Sequence, residues 1–385
     1  MSWKTNVAII CGNHINAYSL VHSLRSAGWE GDIVCLKDHD AGPALMDLWG
    51  NSVRTWDDKL CAPSDIVCLI ADRIPTEAEK IIFFTDERFH ETFAEEALLP
   101  RLRNARFFVG SLVHTETILD RYAFYQFIAQ RDLGDVPRTL AGESDPWAVF
   151  PVKFFFRFKR SWEGLKKTAR VRLIEDRISF DRMISQLRSS GYTEKDWCYQ
   201  EVLSISAQHN VSISGWHEQS NHAYVASRKV MQHPPKTGNG DVCEIIDPPP
   251  GLLETTEKLL VALDYRGPFE LEFVLDQNSG AYKIIELNPR FWMQHGLIGA
   301  ATGEGLVRRY LGQAIPPTSD SPPRYWVNTI YGLLRLIRFD LRIHQYLWSQ
   351  KSIRVPSWPI TLRWLPLYVL RELRDCLFRR NGEKQ

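Results

Sequence analysis

The sequence lacks an excess of charge of either sign. Its 47 Lys and Arg residues nearly balance its 46 Asp and Glu residues, and the formal net charge is +1. A protein that binds nucleic acid usually carries a basic surface or stripe. The balance therefore gives no global reason to expect a nucleic-acid partner, and any site for a polyanion must be local.

Long apolar runs are also missing. No stretch reaches the roughly 20 apolar residues that a bilayer-spanning helix needs. The first apolar run, VAIIC, is short and soon interrupted, which is not typical of a secretory signal. We therefore expect a cytoplasmic protein. With 385 residues, 44% of them hydrophobic, the chain is long enough to form two or three domains with sizeable cores.

The seven cysteines are odd in number and scattered, and no two form a Cys-x-x-Cys pair. This pattern argues against a disulfide framework and against a structural zinc site. Several cysteines lie in apolar runs such as VAIIC and DIVCLI that resemble strands. We expect buried free thiols in a reducing compartment.

Glycine is scarce where a nucleotide-binding loop would need it. The first turn, CGNHINAYS, lacks the second and third glycines of a dinucleotide fingerprint, which argues against NAD. The sequence contains neither a Walker loop nor a Gly-x-Ser-x-Gly motif.

Between residue 6 and about residue 110, the apolar runs VAIIC, DIVCLK, DIVCLI and KIIFF alternate with helical patterns. This alternation predicts a parallel sheet covered on both faces, and so a small doubly wound α/β domain over residues 1–113. A helix is predicted from Thr115 to near Gly134. The segments that follow predict strand, strand, helix and strand, and we assign residues 114–203 to this lid-like unit.

The stretch FELEFVLDQNSGAYKIIELNPRFW, residues 269–292, predicts two strands around a turn. Alternate residues of a strand share a face. If residues 277–281 form the connection, Glu272 lies opposite Glu286 and Glu270 lies opposite Asn288. The other face is then a core face that carries Leu271, Phe273, Leu275, Ile285 and Leu287.

Carboxylates that face each other across a ladder repel, so these acids need compensation. Lysine or arginine from a neighbouring element could supply it; Arg228 and Lys229 alternate in facing, so at most one points into the cleft. The alternative is Mg²⁺ bound by carboxylate and amide oxygens and completed by nucleotide phosphates. Arg290, two residues after Asn288, could reach the same phosphates.

The motifs ELEF and IIELNPRFW resemble the metal-binding signature of the ATP-grasp superfamily, in its carbamoyl-phosphate synthetase branch. ILDRYAFY, FPVKFFF and YQEVL follow the order of that branch, and the first strand, turn and helix are similar to the preceding domain of its carboxylate-amine ligases, including the D-aspartate ligase type. The resemblance covers residues 6–312. It implies an ATP-grasp fold preceded by the doubly wound domain, with the Mg-ATP site in residues 204–315.

The resemblance implies that Glu272, Glu286 and Asn288 hold Mg²⁺. It further implies that Arg290 contacts the transferred phosphoryl group and that Lys153 reaches the ATP phosphates. From the residues alone, Lys153 could equally be a charge at a strand edge.

The remaining nucleotide contacts implied by the resemblance are Gln200, Glu201 and Val202 at the adenine edge, and Arg121 where the family usually has lysine. The lid sequence RFKRSWEGLKKTAR departs from the family because it lacks a glycine-rich loop. Lys159, Lys166 and Lys167 could supply phosphate contacts in its place, or form a solvated face.

The implied activity is that of an ATP-dependent carboxylate-amine ligase. A small-molecule carboxylate attacks ATP to give an acyl phosphate and ADP, and an amine then displaces phosphate to form an amide. The alternative is a regulatory module that binds ATP without ligating anything.

Residues 316–385 form a separate segment, which begins with four prolines and continues rich in Trp, Leu and Arg. We expect a helical C-terminal extension. Its apolar side could pack on the main body or on a second subunit in a homodimer, or it could lie on an anionic membrane surface.

Overall fold

The computed structural model describes residues 3–12, 15–36, 53–56, 64–95, 100–160, 171–205, 210–219, 221–233, 239–301, 305–314 and 322–355, together with residues 366 and 369. Within these ranges the strands form one sheet of five strands, one of seven and one of four. No helix in the described ranges is long and apolar enough to cross a membrane.

The N-terminal part is a five-stranded parallel sheet with the strand order β3-β2-β1-β4-β5. Alternate residues of its central strand are buried in two different cores, one on each face of the sheet. The predicted doubly wound domain is confirmed. Its elements are β1 (Asn6–Cys11), α1 (Ile15–Ser26), β2 (Asp32–Leu36), β3 (Arg54–Trp56), α2 (Ser64–Arg73), β4 (Glu79–Phe84), α3 (Arg88–Ala94) and β5 (Ala105–Arg106).

The run DIVCLI at residues 65–70 lies in helix α2, so the prediction of a strand there was wrong. Ile66 and Ile70 of α2 are buried, and so is Ile74 directly after the helix, which gives the four-residue spacing of a helix face. A run of five apolar residues is too short to separate a strand from a buried helix. Cys68 is only partly buried there, and its sulfur accepts a hydrogen bond from Arg101 Nη1 at 3.0 Å.

The second part is a four-stranded antiparallel sheet with the order β6-β9-β7-β8, and helix α6 packs on one of its faces. The predicted succession of strand, strand, helix and strand is confirmed. The elements are α4 (Thr115–Leu119), α5 (Arg121–Gln130), β6 (Thr139–Ala141), β7 (Phe154–Phe158), β8 (Val171–Ile174), α6 (Arg177–Ser189) and β9 (Trp197–Gln200).

The helix predicted from Thr115 to Gly134 is two helices. The break is at Asp120, which has extended backbone angles and accepts a hydrogen bond from the Ala123 amide at 2.9 Å. Asp is a favoured N-cap because its carboxylate satisfies an amide of the first helical turn. The break makes Arg121 the first residue of α5.

The third part is a seven-stranded sheet with the order β14-β13-β10-β11-β12-β15-β16. Helices α5 and α7 cover one face of the β13–β14 end through a shared apolar core. The elements are β10 (Asn210–Glu218), β11 (Asn221–His233), β12 (Asn239–Ile246), α7 (Leu252–Ala262), β13 (Arg266–Leu275), β14 (Tyr282–Asn288), α8 (His295–Ala301), α9 (Leu306–Leu311), β15 (Tyr325–Asn328), α10 (Thr329–Ile337), α11 (His344–Leu347) and β16 (Ser352–Val355).

The C-terminal extension is helical in α10 and α11, and it also contains two strands. Strand β15 pairs with β12 in an antiparallel sense, and β16 pairs with β15 in a parallel sense. The two described strands of the extension therefore belong to the same sheet as the β13–β14 hairpin.

The N-terminal and third parts share one apolar core. It brings side chains of β1, β4 and α1 together with Trp216 of β10, with Phe291 and Trp292 after β14, and with α8 and α9. This packing fixes the end of β14 against the N-terminal domain. The polar residues of the hairpin therefore lie between all three parts.

Candidate active site

The β13–β14 hairpin has the predicted register. Glu272 lies opposite Glu286, and Glu270 lies opposite Asn288. A bulge follows Glu272, so that Ile284 faces the core in place of Ile285. The prediction that Ile285 lies on the core face was therefore wrong, because a bulge reverses the facing of the residues beyond it.

Glu286 forms an ion pair with Arg121, whose Nη2 lies 2.6 Å from Glu286 Oε2. Arg121 Nη1 also donates to the carbonyl oxygen of Phe158 at 3.2 Å, which ties α5 to the end of β7. Burial opposes the charge on Glu286, but the charges of Arg121 and Arg157 outweigh it and lower the pKa of Glu286 to about 2. Glu286 is therefore a carboxylate at neutral pH.

Glu272 forms an ion pair with Lys229 of β11, whose Nζ lies 2.7 Å from Glu272 Oε2. Both side chains are nearly buried, at 13% and 11% exposure. Burial opposes the charge on Lys229, but Glu272 and Glu270 raise its pKa above the usual value. Arg228 pairs with Glu244 at 2.8 Å, so only one of the two adjacent cations contacts the hairpin acids.

Glu270, Asn288 and Arg290 form a second row of contacts. Asn288 Nδ2 donates to Glu270 Oε2 at 3.2 Å, and Arg290 Nη2 donates to Asn288 Oδ1 at 3.0 Å. Arg290 Nε also donates to Glu87 of the N-terminal domain at 3.0 Å. Burial and the neighbouring Glu272 raise the pKa of Glu270 to about 8.

The four-stranded sheet contributes a hydrogen-bonded chain to the same cleft. Arg157 Nη1 donates to Gln200 Oε1 at 2.7 Å, and Gln200 Nε2 donates to the Tyr125 hydroxyl at 3.2 Å. The Tyr125 hydroxyl donates to the carbonyl oxygen of Ile285 at 2.6 Å. These bonds connect β7, β9, α5 and β14 around a single cleft.

The Nε atoms of Arg121 and Arg157 are buried and find no acceptor among the described residues. Burial and the charge of Arg121 lower the pKa of Arg157. Two buried guanidinium groups near one carboxylate leave a local excess of positive charge, which favours an anion in the cleft.

The cleft at this point is narrow. A cavity of about 20 Å³ is lined by residues that include Glu87, Arg121, Lys159, Glu286 and Asn288. A volume of this size admits about one water molecule.

Three predicted nucleotide contacts lie outside this cluster of acids and arginines. Lys153 is exposed and precedes β7. Glu201 Oε1 accepts from Lys283 Nζ at 2.5 Å and from the Arg138 amide at 2.9 Å, and Val202 follows the end of β9. Lys166 and Lys167 lie outside the described residues.

Arg157 is a residue of the cleft that the sequence analysis missed. The alternation in FFFRF contained the signal, because Phe154, Phe156 and Phe158 are buried in one core and a strand turns the residues between them to the other face.

The donor set of the hairpin fits Mg²⁺ chemically, since Glu272, Glu286 and Asn288 offer two carboxylates and an amide oxygen. Each of these side chains contacts a cation of the protein: Lys229, Arg121 and Arg290, respectively. In the described ranges, no group of three or more His, Cys, Asp or Glu side chains could hold a metal without further ligands. Any Mg²⁺ held by Glu272, Glu286 and Asn288 would need further oxygen ligands, of the kind that nucleotide phosphates and water supply.

The hairpin lies within a recognised family signature. Residues 250–314 match the family model described as the ATP binding domain of the carbamoyl-phosphate synthase L chain. No curated protein sequence matches the chain.

The fold is similar to those of solved ligases and carboxylases at low sequence identity. N5-carboxyaminoimidazole synthetase from Staphylococcus aureus, complexed with ADP, is 13% identical with a TM-score of 0.63, covering 89% of this chain and 87% of that chain. L-amino acid ligase from Bacillus licheniformis is 14% identical with a TM-score of 0.58, covering 84% and 79%. Biotin carboxylase from Campylobacter jejuni is 15% identical with a TM-score of 0.56, covering 83% and 74%.

These similarities confirm the predicted architecture, whereas the closer likeness to the D-aspartate ligase type stays a prediction. The chain has the ATP-grasp fold, preceded by a small doubly wound domain.

Proposed function

We propose that the protein is an ATP-dependent carboxylate-amine ligase that forms an amide through an acyl phosphate and releases ADP and phosphate. The observation that carries this proposal is the hairpin register, which places Glu272 opposite Glu286. Three cations contact the polar residues of this hairpin: Arg121, Lys229 and Arg290. The nucleotide-bound structure among the similar folds and the ligase among them support it. The carboxylate and amine substrates, the Mg²⁺ requirement and the cytoplasmic location stay predictions.

The proposed reaction needs positioning and charge stabilisation more than a nucleophile from the protein. In the first step a substrate carboxylate oxygen forms a bond to the γ-phosphorus, and the bond from that phosphorus to the β-γ bridging oxygen breaks. In the second step the amine nitrogen attacks the acyl carbon, phosphate leaves and the amine loses a proton. In this proposal Arg290 and Arg121 stabilise the charge on the transferring group.

Glu272, Glu286 and Asn288 would hold Mg²⁺ together with ATP. When bound, the ion neutralises phosphate charge and orients the phosphates. On nucleotide binding, Arg121 and Lys229 can exchange their carboxylate partners for phosphate oxygens, because both charges are already desolvated. Arg157, Gln200, Glu201 and Val202 would form the nucleotide side of the cleft.

Replacing Glu286 with Gln tests the proposal. The substitution keeps the size of the side chain but removes one of the two facing carboxylates, so we expect release of ADP and phosphate to fall by at least about 100-fold. Measurement is by phosphate release with a panel of small carboxylates and amines.

The matched control is Glu244→Gln. Glu244 is a buried, ion-paired acid of the same sheet, and its partners are Arg228 and Arg324 rather than cleft residues. Full activity in Glu286→Gln, or equal loss in both variants, would contradict the assigned metal site.

A second candidate function is a regulatory module that binds ATP without ligation. The neutralisation of Glu272 by Lys229 and of Glu286 by Arg121 favours it, because both acids have partners without a metal. Calorimetry that shows ATP binding, without phosphate release for any pair in the substrate panel, would support the module over the ligase.

A further inference from the structure

We propose that the protein binds the surface of anionic lipid bilayers through the turn between α10 and α11. The contact surface, named the 337–348 surface here, consists of the exposed side chains of Ile337, Phe339, Leu341, Arg342 and Trp348. This proposal is independent of the ligase activity.

The 337–348 surface concentrates exposed apolar groups. The exposed fractions are 55% for Ile337, 87% for Phe339, 69% for Leu341 and 54% for Trp348. These four make up a third of the twelve large exposed hydrophobic side chains in the described residues, although they span only twelve positions. Phe339 is the most exposed of all twelve. Such clustering is typical of an interaction surface, whereas single exposed apolar residues are not.

The backbone at Phe339 is held in an unfavourable conformation. Its φ angle is +61°, a left-handed value that residues with a Cβ rarely adopt. Glycine or asparagine would be favoured at such a position. An aromatic residue that is both strained and solvent-exposed adds nothing to the core, and this argues that its side chain has a function outside the fold.

The turn that carries these side chains is anchored firmly. Arg335 pairs with buried Asp241 of β12 at 2.7 Å and with Asp340 at 2.9 Å, and it donates to the carbonyl oxygen of Gln232. Ile343 and Leu347 are fully buried on the inner side of the same turn. The outward direction of Phe339 is therefore fixed by the fold.

The sequence around the 337–348 surface is strongly basic. Residues 322–385 contain twelve Lys and Arg but only four Asp and Glu, while residues 1–321 contain 35 and 42. The chain as a whole is nearly neutral, so its C-terminal part is positive and the remainder negative. The residues after 355 add Trp358 and Trp364 to the same basic segment.

An anionic bilayer is the partner that satisfies both properties together. Apolar and aromatic side chains enter the headgroup and acyl boundary, while Lys and Arg attract anionic lipid headgroups. The residues after 355 carry more Lys and Arg than Asp and Glu, so they add to the positive charge of this part of the chain. A second copy of this chain could offer its negative part, and the experiment below distinguishes that case.

The test is flotation of the full-length protein with two kinds of vesicle. One contains phosphatidylcholine alone, and the other contains phosphatidylcholine mixed with phosphatidylglycerol. We expect the protein to float with the mixed vesicles and to be released by high salt, which screens the headgroup charge. Equal recovery with both vesicles, or recovery with neither, would overturn the proposal.

The Phe339→Gly and Leu341→Ser variants should each lower the partition coefficient on mixed vesicles by about tenfold, since each removes an apolar group that enters the bilayer. Phe339→Gly relieves the positive φ angle, so its melting temperature should not fall, and loss of binding cannot be ascribed to unfolding. The matched control is Val261→Ser, at a 62% exposed position of α7, which should bind as the original protein does.

Sedimentation of the same proteins without lipid separates the two partners. We expect the original protein and the Phe339→Gly variant to have the same mass in solution. If the original protein is a dimer and the variant a monomer, the 337–348 surface joins two copies and the membrane proposal is overturned.

Discussion

Arg157 shows what one residue adds to the cleft. It shares a strand with three buried phenylalanines, and its guanidinium reaches Gln200 while its buried Nε has no acceptor among the described residues. Lys153, the residue expected from the family resemblance, is exposed ahead of the strand. We infer that phosphate contact from β7 comes from Arg157, because a buried cation near a cleft interacts more strongly with an anion than an exposed one.

The Arg157→Ala substitution should raise the Kd for ATP by at least about tenfold, the expected size for loss of a charge-assisted hydrogen bond. Isothermal calorimetry measures this. Arg172→Ala is the control, because Arg172 is an exposed residue of the neighbouring strand β8. If Lys153→Ala weakens ATP binding and Arg157→Ala does not, the inference about β7 is wrong.

His295 couples stability to pH. It is 1% exposed, with Nδ1 2.6 Å from the carbonyl oxygen of Trp292 and Nε2 2.9 Å from Ser23 Oγ. Burial lowers the pKa of His295 to about 4. The unfolded chain binds a proton near pH 6.5 and the folded one only near pH 4, so the stabilisation is present above pH 6.5 and is lost as the pH falls to 4.

The full contribution of this shift is about 3 kcal/mol. We therefore expect His295→Gln to be less stable than the original protein at neutral pH and to approach it at about pH 5. Urea unfolding at several pH values measures the difference. His344→Gln, at an exposed position of α11, should show no such convergence, and a constant difference for His295→Gln would refute the assignment.

At the scale of elements, the central strand β10 depends on one glycine. A Cβ at Gly215 would lie 1.8 Å from the carbonyl oxygen of Ala223 on the adjacent strand β11, and the φ angle is +157°. The backbone of Ala223 cannot move away from the added carbon without breaking hydrogen bonds of the β10–β11 ladder. The glycine thus allows the close approach of two strands that carry Ser214 and Lys229 to the cleft face.

The Gly215→Ala substitution should lower the free energy of unfolding by more than about 3 kcal/mol, since either the ladder or the backbone geometry must give way. Gly280→Ala is the control, because Gly280 also has a positive φ of +70° but no atom within 4 Å of the added carbon. The Gly280→Ala substitution should lower the free energy of unfolding by about 1 kcal/mol. If the two substitutions lower the free energy of unfolding equally in denaturant, the loss at Gly215 comes from backbone strain and not from the contact with Ala223.

The alternation of apolar runs predicted most elements, and local exceptions account for the failures. Asp120 divides one predicted helix in two, because a side-chain cap competes with helix continuation. Because of the bulge after Glu272, Ile284 lies in the core and Ile285 does not. Neither exception changes the hydrophobic periodicity enough to be visible in one sequence.

At the scale of the molecule, Tyr310 joins the N-terminal domain to the rest. Its hydroxyl donates to the carbonyl oxygen of Ile82 at 2.5 Å and accepts from the Phe108 amide at 3.1 Å, and its ring stacks on Phe83 at 4.5 Å. Tyr310 and Phe83 are themselves part of the shared core. We therefore expect the N-terminal and third parts to unfold together.

The Tyr310→Phe substitution removes the hydroxyl that bonds the Ile82 carbonyl and the Phe108 amide, and it should lower the free energy of unfolding by about 1–3 kcal/mol. Calorimetry should show a lower and broader transition in which the two parts begin to separate. Tyr265→Phe, which removes a buried hydrogen bond to Pro268 within the third part, should lower the transition without broadening it. Two separate transitions in the original protein would contradict the joint unfolding.

The sequence by itself determined the doubly wound domain, the hairpin and the pairing of its acids, because strand periodicity and turn position are local properties of the chain. Only the tertiary structure decided which cations meet those acids. Lys229 and Arg121 reach Glu272 and Glu286 from elements 43 and 165 residues away. Such contacts depend on how the sheets pack, and the same packing raises the pKa of Glu270 through burial and lowers that of Glu286 through the charges of Arg121 and Arg157.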